Sequence, residues 1–182
     1  SISNLFDSDR NALITGMPER HQFDIGVLCK AIKDYNFNLR LSLNISNEFD
    51  KYSIDDIINR AVELNADQVT FRKLFTSSVF SNKNSKVCSQ DIWISQNKCK
   101  SEFFDIHNEK SLYGYIKDNG TLLGKLPYGA SKYSIKGIST VIDDNCMDDA
   151  QDRINDDNYK YLILRPNCKL YTNWSEKSSL LF

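Results

Sequence analysis

Two short polar rows hold most of the chemistry this chain can offer. In "NLRLSLNIS", residues 38–46, Arg40, Ser42 and Asn44 alternate with Leu39, Leu41, Leu43 and Ile45. In "QVTFRKL", residues 68–74, Thr70 and Arg72 alternate with Val69 and Phe71. A period of two places the hydroxyls, the amide and the guanidinium on one face of each strand. Such a set binds polar ligands, and the planar fork of Arg72 suits a carboxylate. The plainer alternatives are a surface ion pair for Arg72 and a turn or edge role for Asn44.

Other reactive residues are sparse. Five cysteines (Cys29, Cys88, Cys99, Cys146 and Cys168) are scattered, the nearest two eleven residues apart. No pair has C-x-x-C spacing and no His/Cys group resembles a zinc site, which points to free thiols in a reducing compartment. His21 and His107 have no evident catalytic context, and core or surface roles are expected. No G-x-S-x-G elbow, P-loop or H-E-x-x-H occurs, so a hydrolase or transferase finds little support. Net charge −1 and pI near 6.1 give no bulk attraction for nucleic acid or an anionic membrane. No apolar run approaches a membrane span and no signal-peptide core is present, so a cytoplasmic protein is expected. Sequons at Asn44, Asn119 and Asn173 are read as chance. The first residue is Ser1, which is read as a processed or cut N-terminus.

The elements that must position these residues alternate in type. "NALITGM" reads as a short strand ending at Gly16. "FDIGVLCKAIKDY" puts Ile25, Leu28, Cys29 and Ile32 on one helical face, with Asp24 at its start. After the 38–46 strand, Ser53 and Asp56 have capping-box spacing, with Asp55 favourable in the first turn. The stripe Ile57, Ile58, Ala61, Val62 and Leu64 follows. Strand, helix, strand, helix, strand argues parallel βα units. Parallel strands with a polar face fit a curved half-barrel around a wet interior; an exposed sheet face is the alternative.

Residues 77–182 read as a mixed α+β extension after a 1–76 partial barrel. Helices are expected around Trp93 and over "NEKSLYGYIKDNG", the latter closed by Asn119-Gly120. Strands are expected in "TLLGKLPYG" and "YSIKGISTVID". "LILR-PN-CKLY" predicts an antiparallel hairpin turning at Pro166-Asn167. The acidic stretch 143–157 lacks calcium-loop spacing and reads as a solvated connection.

The segment "LRLSLNISNEFDKYSIDDIINRAVELNADQVTFRKLF" resembles the latter half of the barrel in radical S-adenosylmethionine (radical SAM) enzymes. There, a strand ends in a polar residue facing the cofactor, and "elgadqvtfr" runs into the sixth strand. The likeness covers residues 11–76, and "YLILRPNCKLYTNW" looks like the tail of some members, with Cys168 where a turn glycine is usual. The resemblance implies a partial TIM-like barrel in which Ser42, Asn44 and Arg72 contact S-adenosylmethionine. Asn44 would approach its ribose or amino-acid part, and Arg72 would pair with a cofactor or substrate carboxylate. "TGMPER" invites comparison with the family's GGEP motif, but its order differs and nothing is carried over to Glu19.

The family's C-x3-C-x2-C loop, which holds a [4Fe–4S] cluster and leaves one iron for the cofactor, is missing from these residues. The expectation is therefore the C-terminal part of a radical SAM enzyme, supplying barrel wall, cofactor contacts and a substrate-facing extension. Alone it would be inactive, with neither the cluster nor S-adenosylmethionine bound. Its substrate is not legible. A missing N-terminal half-barrel or a second copy is the expected partner, since open parallel edges associate unless the C-terminal hairpin covers them. The alternative is a cluster-free ligand- or partner-binding domain without redox chemistry.

Overall fold

A computed structural model describes residues 2–3, 6–76, 89–126, 130–143, 162–164, 166–172 and 180–181. The chain groups into two compact units, one of residues 1–74 with 88–144 and one of 75–87 with 145–182. The larger unit is mixed α/β. Its elements run β1 (Ile2–Ser3), α1 (Ser8–Thr15), α2 (Ile25–Asp34), β2 (Arg40–Ile45), α3 (Ile54–Glu63), β3 (Gln68–Lys73), α4 (Ser89–Asn97), α5 (Leu112–Asn119), β4 (Thr121–Lys125), β5 (Ser131–Ile135) and β6 (Ile138–Asp143).

These strands make one mixed sheet in the order β1-β2-β3-β6-β5-β4. β1, β2, β3 and β6 are parallel; β5 and β4 continue the sheet antiparallel. The first three strands advance in one direction. Right-handed crossovers then bring successive helices to the same face. The core agrees: Ile25 and Cys29 of α2, Ile57, Ile58 and Ala61 of α3, and Leu112 and Ile116 of α5 share one cluster with Leu41, Leu43, Val69, Phe71 and Ile142.

The local signals in α2 and α3 act as expected. The Asp24 carboxylate accepts from the Val27 backbone N–H at 2.8 Å. Ser53 and Asp56 form the reciprocal capping box, which satisfies two otherwise orphaned N–H groups at the start of α3. Val62, by contrast, is exposed and stands outside the apolar stripe assigned to it.

One element is corrected. "NALITGM" is not a strand but most of α1. The Asp7 carboxylate accepts from Arg10 N at 2.9 Å, and Gly16 closes the helix in the left-handed region at φ 64°. Those caps supply the end groups an eight-residue helix needs, and they outweigh its weak apolar periodicity.

The edge of β3 is covered by β6, β5 and β4 rather than by the C-terminal hairpin. That hairpin, β7 (Ile163–Leu164) with β8 (Leu170–Tyr171), is a separate two-stranded antiparallel sheet in the smaller unit. It turns at Pro166-Asn167 as expected. Cys168 holds φ 58°, the conformation that a glycine adopts without a Cβ penalty. The remainder of the 143–157 acidic stretch after Asp143, the sequon at Asn173, and Cys88 and Cys146 lie outside the described residues.

Candidate functional site

Strand register builds the first candidate. Asn44 of β2 lies opposite Arg72 of β3, and Arg72 lies opposite Asp143 of β6. Paired residues of neighbouring parallel strands point to the same face, so amide, guanidinium and carboxylate form a row. Each stands in the last two residues of its strand. Ligand sites of α/β proteins gather at this carboxyl end, because the connecting loops there leave a crevice. One register step inward, Ser42 lies opposite Thr70, and both are buried. The polar face is therefore wet only at its ends: Arg40, Asn44 and Arg72 are exposed.

Arg72 Nε is 3.7 Å from Asp143 Oδ2, with the two side chains 48% and 41% exposed. That is an ion pair too long for a direct hydrogen bond. Exposed pairs of this kind contribute about 0–1 kcal/mol, so little holds the two groups to each other. By sequence Asp143 stands where the expected strand segment "YSIKGISTVID" meets the acidic stretch 143–157. Only the β3–β6 register reveals that it faces Arg72.

A second candidate is a cavity of about 680 Å³ beside the start of α3, lined by Phe49, Tyr52, Asp55, Lys100, Phe103 and Tyr115 among others. Its lining includes none of Ser42, Asn44, Arg72 or Asp143. Its most perturbed groups already satisfy one another. Tyr115 Oη donates to Asp55 Oδ1 at 2.6 Å, and Lys136 Nζ donates to the same oxygen at 2.7 Å and to Asn59 Oδ1 at 2.6 Å. Asn59 Nδ2 donates to Asp55 Oδ2 at 2.8 Å. The hydrogen bond from Lys136, then that from Tyr115, hold the Asp55 carboxyl down at about 2. Burial, then the Asp55 carboxylate, push the Tyr115 phenol up to about 12. This network ties α3 to α5 and to the β5–β6 turn, which is a structural use of the charge.

The signs give a stability window. Asp55 titrates lower in the folded chain, so its contribution is complete above about pH 4 and is lost as pH falls through about 2. Tyr115 titrates higher when folded, so its contribution is complete below about pH 10 and is lost as pH rises through about 12. The gap in unfolding midpoint between the wild type and Asp55→Asn is expected to be widest between these limits. It should narrow toward pH 2, with Tyr115→Phe removing the alkaline branch. A gap that stays constant from pH 2 to 7 would mean that Asp55 carries no folded-state advantage.

The remaining chemistry-bearing residues are dispersed. Cys29 is buried in the core on α2, where burial raises its thiol pKa; Cys99 is half-buried and pushed up to about 11, mainly by burial. His21 and His107 are exposed. Glu19 opens a 3-10 turn after Pro18. Among the described residues no three His, Cys, Asp or Glu groups gather as a metal site, and no helix is long and apolar enough to cross a membrane. The chain matches no protein-family model, no curated protein and no solved structure.

Proposed function

We propose that this chain is the C-terminal part of a radical SAM enzyme, with residues 1–76 forming partial TIM-like barrel wall and Ser42, Asn44 and Arg72 facing the cofactor. The observation that supports it most is the one-directional order β1-β2-β3 with α2, α3 and α5 gathered on one face. A barrel wall has that winding, whereas a doubly wound sheet reverses and carries helices on both faces. The polar residues of the opposite face then line the interior, and Asn44 and Arg72 occupy strand ends, where the resemblance wants them.

The cofactors divide on fit. Hydroxyl, amide, guanidinium and carboxylate groups suit the ribose and amino-acid parts of S-adenosylmethionine. A [4Fe–4S] cluster does not fit these residues: it needs three closely spaced thiolates, and none of the cysteine spacings supplies them. No chemical step is assigned to this chain for that reason. Its share is to bind and orient.

The scatter of the cysteines also favours a second reading, a cluster-free binding domain using the same strand ends. The native transcript upstream of Ser1 separates the two. An in-frame extension bearing C-x3-C-x2-C is the expected result; a start codon directly before Ser1 would sink the radical SAM reading and leave the binding domain.

A further inference from the structure

Building on the strand ends as the ligand site, we infer that Arg72 and Asp143 together hold the zwitterion of a free α-amino acid or of a ligand ending in one. Arg72 takes the carboxylate, Asp143 takes the ammonium, and Asn44 flanks the carboxylate from the next strand.

Opposite charges at register positions of neighbouring strands are the basis. Strands lie about 4.8 Å apart, and an amino acid presents its ammonium and carboxylate on one carbon, so one ligand end can meet both side chains. The loose 3.7 Å contact is made through Nε. The guanidinium has five N–H donors in a fixed fork, which leaves its Nη pair for a bidentate carboxylate. The Asp143 carboxylate, with roughly four lone-pair sites, retains capacity for an ammonium. Inserting the ligand replaces one weak, solvent-screened ion pair by two better-formed ones. A simple dicarboxylate would leave Asp143 facing like charge, and a neutral nucleoside would leave both groups unmatched. The zwitterion is the ligand class that satisfies both.

The test titrates the chain with four probes: S-adenosylhomocysteine, 5′-methylthioadenosine (the nucleoside without the amino acid), L-methionine, and its 2-hydroxy analogue lacking the ammonium. S-adenosylhomocysteine should bind at least about tenfold more tightly than methylthioadenosine, and L-methionine more tightly than the hydroxy acid. Asp143→Asn and Arg72→Gln should each cost about tenfold in binding of the zwitterionic probes. Their unfolding midpoints should stay within about 2 °C of the wild type, because the pair is exposed.

Equal binding of S-adenosylhomocysteine and methylthioadenosine, untouched by Asp143→Asn, would overturn the zwitterion assignment and leave the nucleoside cofactor in place. L-methionine held alone, and lost in Asp143→Asn, would support the assignment while removing the radical SAM reading. No binding of any probe would overturn the zwitterion assignment and leave the radical SAM reading standing, since that reading expects no cofactor on the isolated chain.

Discussion

Phe71→Ala should cost about 3–5 kcal/mol, a large part of the roughly 5–15 kcal/mol a domain has to lose. Phe71 is fully buried at the centre of β3, and its register partners Leu43 and Ile142 extend the apolar row on both sides. Its ring also meets Phe103 at 6.4 Å between centroids. Truncation removes the transfer free energy of the ring and leaves a cavity that two flanking strands, both hydrogen-bonded in register, cannot collapse to fill. Urea unfolding followed by tryptophan fluorescence reads the effect. Phe71→Leu keeps most of the volume and should remain folded if the alanine variant does not. A loss below about 1 kcal/mol for Phe71→Ala would contradict the central place of β3 in the sheet.

Gly114→Ala should also destabilise, against helix propensity. Gly114 is the third residue of α5, and alanine there would ordinarily gain about 1 kcal/mol. The backbone of Glu109 folds against this position, however, and a Cβ would collide with its carbonyl oxygen and carbon. The segment before α5 is held there by a series of turns: Asn108 N–H donates to Asp105 O, Ser111 N–H to Asn108 O, and Gly114 N–H to the buried Ser111 hydroxyl. A rigid backbone cannot give way as a flexible side-chain tip would. Overpacking of this kind costs about 1–3 kcal/mol, so a net loss of about 2 kcal/mol is expected in thermal or urea unfolding. A more stable Gly114→Ala variant would show that the 105–111 segment does not pack on α5.

These two residues also mark how far the sequence could be read. The alternation in β2 and β3, the α3 stripe and the Ser53/Asp56 box are local signals, each complete within about ten residues, and they describe the observed elements. α1 was misread because four apolar-rich residues before a glycine serve a strand as well as a helix; its Asp7 and Gly16 caps held the deciding information. Long-range pairing was illegible. No periodicity tells β3 to pair with β6, so neither the cover over the β3 edge nor the position of Asp143 opposite Arg72 could be foreseen. Ser42 illustrates a smaller gap: alternation put it on the polar face, but that face is buried one step inside the strand ends. The need for glycine at position 114 depends on how the preceding loop folds back, which no motif encodes.

The sheet order carries a consequence for synthesis. β3 leaves the ribosome about seventy residues ahead of β6, its partner on one side, with α4, α5 and a two-strand ribbon emerging in between. Until Asp143 is out, the nascent chain presents an unpaired parallel edge next to Phe71, and β5 and β4 have no strand to anchor them. Such an edge is a template for the wrong neighbour. Translation must therefore outlast the most association-prone stage of this chain, and a pause between residues 74 and 138 would prolong it.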